Sequence, residues 1–269
     1  MKHIVLLVFL VALSCQTKTP VVNDPIPEHD SLKIASKFVN ETRVINIWTP
    51  PTYKNSKDSF PVLYMPDGGI KEDFPHVANT IAKLVKNKSI PPIILVGIEN
   101  TERRRDLTGF SSVKDDEQYC PLTDGAKDFR QFIKQELFQK IESNYRVTTK
   151  RGIIGESLAG LFVVETFMQH PETFDYYIAF DPSLWWNNHA LVKQSEDIFN
   201  QFPSSNKKLW FAGSDAEDIY KHTRVLAKTL EDQTQINWKY ADEPKEHHHT
   251  IFRASKEKAL IWMFNESLN

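Results

Sequence analysis

The stretch Arg151-Gly152-Ile153-Ile154-Gly155-Glu156-Ser157-Leu158-Ala159-Gly160-Leu161-Phe162 constrains the fold more than any other part of the chain. It reads as a short buried strand from Gly152 to Gly155, a sharp turn at Ser157 and a helix that begins at once with Leu158. A serine on such a turn is held in a strained backbone conformation, with its hydroxyl exposed at the edge of a sheet. Helix and strand almost touch there, so the neighbours must be small, and Gly155, Ala159 and Gly160 meet that need. The helix N-terminus adds free N–H donors and positive dipole character beside the hydroxyl.

The standard pattern for such a turn is Gly-x-Ser-x-Gly, and this chain carries Ala159 in the fifth position with glycine one place later. By itself the motif is equally compatible with a strand–turn–helix junction holding an incidental serine, and the rest of the chain decides between the two. From Ser31 the pattern is extended and alternating: Leu32 to Val39 and Thr42 to Trp48 read as an antiparallel pair with Asn40-Glu41 as a tight turn. Strands are then predicted over Phe60 to Met65, Pro92 to Ile98, Tyr176 to Phe180, Lys208 to Ala212 and Ile236 to Tyr240. Helices are predicted over Phe74 to Lys86, Ala126 to Asn144, Leu158 to about Gln169, Leu191 to Asn200, Ile219 to Leu230 and Ser255 to Phe264. Glu99 to Asp124 is a long polar loop of the kind that usually carries function. The alternation implies an α/β class with a mainly parallel sheet, helices on both faces and ligands at the C-terminal ends of the strands. An antiparallel N-terminal strand pair leading into such a sheet is the order of the α/β-hydrolase fold.

With 269 residues, of which 41% are hydrophobic, the chain can bury one large core, which fits a single domain over residues 31–269. A net charge of −2 gives no electrostatic footprint for nucleic acid. Residues 1–15 read as a signal peptide: a positive start at Met1-Lys2-His3, then an apolar run from Ile4 to Leu13 that is too short to span a bilayer. Ala12-Leu13-Ser14-Cys15 is similar to a bacterial lipobox, in which Cys15 becomes the lipidated first residue, and residues 16–30 are polar and proline-bearing, as a flexible tether is. The expected location is therefore the bacterial cell envelope, with contact to the membrane only through a lipid anchor. Cys120 is then unpaired and reads as an inert thiol.

A serine hydroxyl is a poor nucleophile until a base takes its proton and a third group orients that base. In this fold the chain order is serine, acid, histidine. Gly213-Ser214-Asp215-Ala216-Glu217-Asp218 stands where the acid is expected, and Glu246-His247-His248-His249-Thr250, just before the last helix, stands where the histidine is expected. Three adjacent histidines point in different directions, and no His-x-x-x-His pairing exists elsewhere, so no metal site is read here.

The chain resembles the "putative esterase" family, which contains esterase D, ferric enterobactin esterases and several carbohydrate esterases, over about Thr42 to Phe264. The segments that carry the resemblance are Phe60 to Gly68, Glu99 to Thr108, Gly125-Ala126 with the helix after it, Ser183-Leu184-Trp185-Trp186-Asn187, and the histidine loop. In the fourth of these Asp181 replaces the first serine of the family's Ser-Pro-Ser-hydrophobic-Trp-Trp, and in the elbow Glu156 stands where histidine is common. The resemblance implies a serine esterase without cofactor, with Ser157 as nucleophile and His248 as base. It implies Glu217 as the acid, by a one-residue insertion, with Asp215 and Asp218 as the alternatives. The oxyanion is then held by the N–H of Leu158 and an N–H from Gly68 to Ile70, Gly69 being the central candidate. Arg103 and Arg105 either anchor an anionic or polyhydroxylated substrate or pair with Glu102 and Asp106 to brace the loop. Trp185 and Trp186 form either a stacking wall or part of the core. Substrates implied are siderophore lactones or acyl and feruloyl esters of carbohydrate. A ligand-binding protein on an esterase scaffold and an acyltransferase use the same residues and stay open as alternatives.

Overall fold

The computed structural model describes residues 24–203 and 206–265. The signal peptide, the lipobox cysteine and the first part of the tether lie outside the described residues. Among the described residues eight strands form one sheet: β1 (Asp30–Ala35), β2 (Thr42–Trp48), β3 (Phe60–Met65), β4 (Ile94–Ile98), β5 (Val147–Glu156), β6 (Tyr176–Phe180), β7 (Lys208–Gly213) and β8 (Asn237–Asp242). Their spatial order is β1-β2-β4-β3-β5-β6-β7-β8. The β1–β2 and β2–β4 pairs are antiparallel, and every later pair is parallel. The β1–β2 connection is longer than the expected tight turn. The Ser36 hydroxyl accepts from the N–H groups of Phe38 and Val39, so the chain turns through residues 36–41 before Ser36 N–H meets Glu41 O at 2.9 Å.

The helices are α1 (Phe74–Lys86), α2 (Arg103–Asp106), α3 (Gly125–Phe132), α4 (Phe138–Asn144), α5 (Leu158–Gln169), α6 (Trp186–Lys193), α7 (Ser195–Asn200), α8 (Glu217–Leu230) and α9 (Ile251–Phe264). The helix expected over Ala126 to Asn144 is present but widened by a π turn at Ile133–Leu137 between α3 and α4. The closing helix begins at Ile251 rather than Ser255, because His247 O accepts from both Thr250 N–H and Ile251 N–H and starts the winding early. That brings the histidine loop directly against the helix start.

The period-two alternation of the strands divides the core. Leu63, Met65, Ile154, Ile178, Phe180 and Trp210 face α1 and α9. Val62, Tyr64, Ile153, Tyr177, Leu209 and Phe211 face the helices from α3 to α8 on the other side. Residues at both faces are fully buried, which explains why β4 reads as an unbroken apolar run. Helix α5 is buried nearly all round, from Leu158 to Met168, and this clamps the turn that precedes it. Of the tether, residues 24–30 lie along the body: Asp24 pairs with Arg253 at 2.6 Å and Pro25 O accepts from Asn79 at 2.7 Å.

Candidate active site

Strand β5 ends at Glu156, and Ser157 follows in the left-handed region, φ 59° and ψ −119°. The turn is held on three sides: Ser157 N–H donates to Phe180 O at 3.0 Å, and Ser157 O accepts from Leu161 N–H at 2.8 Å and Ser183 N–H at 3.1 Å. A Cβ on Gly155 would lie 2.7 Å from the backbone and Cβ of Ala159, and one on Gly160 would lie 2.9 Å from Phe180 O. Gly155 thus makes the room that lets alanine stand in the motif's last position, while Gly160 allows α5 to approach β6.

The Ser157 hydroxyl lies 3.1 Å from His248 Nε2, and His248 Nδ1 lies 2.9 Å from Asp181 Oδ2. Asp181 follows β6, is 0% exposed, and has φ 40°, with its N–H donating to Ala212 O. Ser214 donates to it twice, from N–H to Oδ1 at 2.6 Å and from its hydroxyl to Oδ2 at 2.5 Å. A buried carboxylate needs such donors. The loop after β7, where the acid was expected, supplies the donors that hold an acid from the neighbouring strand.

The three carboxylates of that loop lie elsewhere. Glu217, with its side chain 79% exposed, pairs with Lys221 at 2.6 Å, because as first residue of α8 it can reach one turn along the helix surface. Asp215 bonds His247 Nδ1 at 2.6 Å. Asp218 lines the cavity above Ser157 but makes no bond to His248. Each of the three histidines points a different way, His248 inward to Ser157, His247 to Asp215, and His249 stacked on His247. The bond to Asp181 pushes the His248 pKa above its ordinary value; burial opposes this, and the charge of Glu156 adds to it.

A cavity of about 370 Å³ opens over Ser157, lined by Arg103, Arg104, Tyr119, Leu158, Trp185 and His248 among others. Of the two expected arginines, Arg103 reaches it with its guanidinium already clamped to Asp67 at 2.6 and 2.8 Å. Arg105 does not reach it, being held by Glu41 and Asp106 at 2.7 Å each. The unpredicted Arg104 lines the cavity, and its guanidinium forms no ion pair among the described residues. Three arginines on the single turn of α2 point some 100° apart, so only the turn's orientation selects one, and no sequence spacing shows it. Trp185 lines the cavity edge-on to Tyr119, ring centroids 5.2 Å apart, whereas Trp186 is buried and donates Nε1–H to Gly109 O at 3.1 Å. Cys120 also lines the cavity, and burial pushes its thiol pKa up.

Leu158 is the first residue of α5, so its N–H has no carbonyl acceptor within the helix, and the residue lines the cavity. Gly69 is not brought to the cavity. Its N–H donates to Glu72 Oε2 at 2.7 Å while Glu72 N–H returns to Gly69 O at 3.0 Å, a reciprocal cap ahead of α1. Glu156, next to Ser157, has a buried oxygen Oε1 without a hydrogen-bond partner. Burial, then the charge of Asp73, pushes its pKa from 4.5 up to about 8. A carboxyl raised in the folded state contributes stability fully present below its unfolded pKa of 4.5 and lost as the pH rises through about 8. Glu156→Gln, which keeps the shape without the charge, is therefore expected to raise the thermal midpoint more at pH 8 than at pH 5, in paired thermal melts.

A family model described as "Putative esterase" matches residues 36–264. The ferri-bacillibactin esterase BesA of Bacillus subtilis is 29% identical over 191 residues, covering 63% of this chain and 64% of its own length. The chain thus spans less than two thirds of that relative. The apo-salmochelin esterase of Escherichia coli is 25% identical over 252 residues, 86% of this chain and 78% of its own. Among solved structures, an IroE-like serine hydrolase from Shewanella oneidensis superposes with a TM-score of 0.82 at 26% identity, covering 88% of this chain and 80% of its own.

Proposed function

We propose that this chain, which belongs to the "Putative esterase" family, cleaves a carboxylic ester through Ser157, His248 and Asp181, a reading that the esterase and serine-hydrolase names of its relatives support. The observation that carries this reading is one imidazole spanning the nucleophile hydroxyl at 3.1 Å and a fully buried carboxylate at 2.9 Å. Asp181 fixes Nδ1 as the protonated nitrogen and leaves the Nε2 lone pair for the serine proton.

Ser157 Oγ attacks the ester carbonyl as its proton passes to His248 Nε2. The Leu158 N–H donates to the oxyanion. The imidazolium then protonates the leaving alkoxide, which departs and leaves an acyl-enzyme. Water then attacks the acyl carbonyl as its proton passes to His248 Nε2; the bond to Ser157 Oγ breaks, the imidazolium returns the proton to that oxygen, and the acid is released. A complete serine–histidine–aspartate relay supports turnover over mere ligand binding on this scaffold.

For substrate, the relatives' names and the cavity favour a siderophore-type ester over a carbohydrate ester. An unpaired Arg104 beside Trp185 and Tyr119 suits an acyl group that is both aromatic and anionic. The direct test is turnover of a siderophore lactone set against a feruloyl ester. Arg104→Ala is expected to raise KM for an anionic aryl ester by up to about fivefold, with kcat and the KM of the uncharged analogue little changed, since Arg104 is exposed and an exposed ion pair is worth about 0.2–1 kcal/mol. Equal loss on both esters, or none, would count against the anionic acyl group. The leader and Cys15 add a proposed place, lipid-anchored in the cell envelope.

A further inference from the structure

We propose that Asp116 and Asn187 form a pin that sets the aromatic wall of the cavity, and so govern which acyl groups are accepted without touching them. This rests on the reading of the cavity as an ester site.

Directly after Trp185 and Trp186 the backbone passes through three successive left-handed residues, Asn187, Asn188 and His189, at φ 50°, 51° and 49°. None is glycine. Side chains of L-residues disfavour this region, and a run of three persists only where the surroundings enforce it. The enforcement comes from the long loop between β4 and α3. Asp116, itself buried, accepts from Asn187 N–H at 2.9 Å and from the Ser111 hydroxyl at 2.7 Å, both at Oδ2. Asn187 Oδ1 in turn accepts from Ser112 N–H at 3.1 Å and from the Ser112 hydroxyl at 3.2 Å. On the far side His189 stacks on His222 of α8, ring centroids 4.6 Å apart.

The same loop carries Arg104 and Tyr119 into the cavity, and Tyr119 N–H donates to Asp116 O at 2.9 Å. Asp116 therefore ties both members of the edge-on pair, Tyr119 through its backbone oxygen and Trp185 through the turn that follows it. Neither Asp116 nor Asn187 lines the cavity. They are positioning residues: if the pin slips, the ring wall shifts while Ser157, His248 and Asp181 keep their bonds, which involve none of these atoms.

The test compares Asn187→Val with Asn187→Gly on nitrophenyl benzoate and nitrophenyl acetate. A β-branched residue cannot hold the left-handed turn, whereas glycine adopts it freely and keeps the N–H that Asp116 accepts. The acetyl group carries no ring to set against the wall. Asn187→Val is expected to raise KM for the benzoate about tenfold with the acetate within about twofold, and Asn187→Gly, which keeps the turn and loses only the Ser112 bonds to Oδ1, to raise the benzoate KM no more than about threefold, because displacement of a positioning wall acts on the groups it touches. Asp116→Asn, which keeps an acceptor oxygen, should fall between them. An unchanged benzoate KM in Asn187→Val, a parallel loss on both esters, or equal behaviour of the valine and glycine variants would overturn the pin while leaving the esterase reading intact. Absence of turnover of either ester by the folded wild type would remove the esterase reading and the pin with it.

Discussion

Asp181→Asn is expected to lower kcat about ten-thousandfold, as loss of the orienting carboxylate does in serine hydrolases, while Glu217→Gln leaves it within about twofold, since a solvated surface pair has no path to the chemistry. Asparagine fits the same volume and still accepts from Ser214 N–H. Its amide, however, cannot both receive the Ser214 hydroxyl and take the His248 Nδ1–H as a carboxylate does. The imidazole then loses its fixed tautomer. The pH profile gives a second readout. The rate rises as His248 loses its proton, and the bond to Asp181 places that rise above the ordinary histidine value. Removing the carboxylate must move it to lower pH. A Glu217→Gln variant with the large loss, and Asp181→Asn without it, would return the acid to the loop after β7.

Ser157→Ala and His248→Ala are each expected to cost about a millionfold in kcat, and the double variant no more than either alone, because nucleophile and base act as one unit. What remains is the contribution of the oxyanion donor and of substrate binding, about a thousandfold over water. Measuring the three variants on one nitrophenyl ester, at enzyme concentrations that exclude background, checks both the size and the lack of additivity. A double variant with multiplied losses would mean that Ser157 and His248 work in separate steps.

Most of the fold was legible because each element's sequence carries its own period. The eight-stranded α/β sheet, its antiparallel first pair, and the elbow at Ser157 follow from alternation, unbroken apolar runs and small residues at one turn. The placement of His248 beside Ser157 was legible too, since the loop just before the last helix carries it to within 3.1 Å of that hydroxyl. The acid was not. Glu217, Asp215 and Asp218 satisfy the expected order along the chain, but reach depends on where a side chain points, and only a carboxylate at the tip of β6 sits between Ser214 and His248. One signal existed: Asp181 replaces a serine in an otherwise familiar segment, and an acid appearing at a strand tip beside the nucleophile strand is a change of role. Gly69 was misplaced for a related reason. Its amide looks free until the carboxylate three residues later is seen folding back on it. The arginines show the same limit: three in a row cannot be ranked until the single turn that carries them is oriented.

The most direct test of the central claim, an activated Ser157, is intact-mass analysis after exposure to a fluorophosphonate. Such a reagent labels a serine whose proton has a base to go to. The account predicts one adduct on the folded wild type, none on Ser157→Ala or His248→Ala, and slowed labelling of Asp181→Asn. A folded wild type that stays unlabelled, or an adduct that persists in Ser157→Ala, would contradict it.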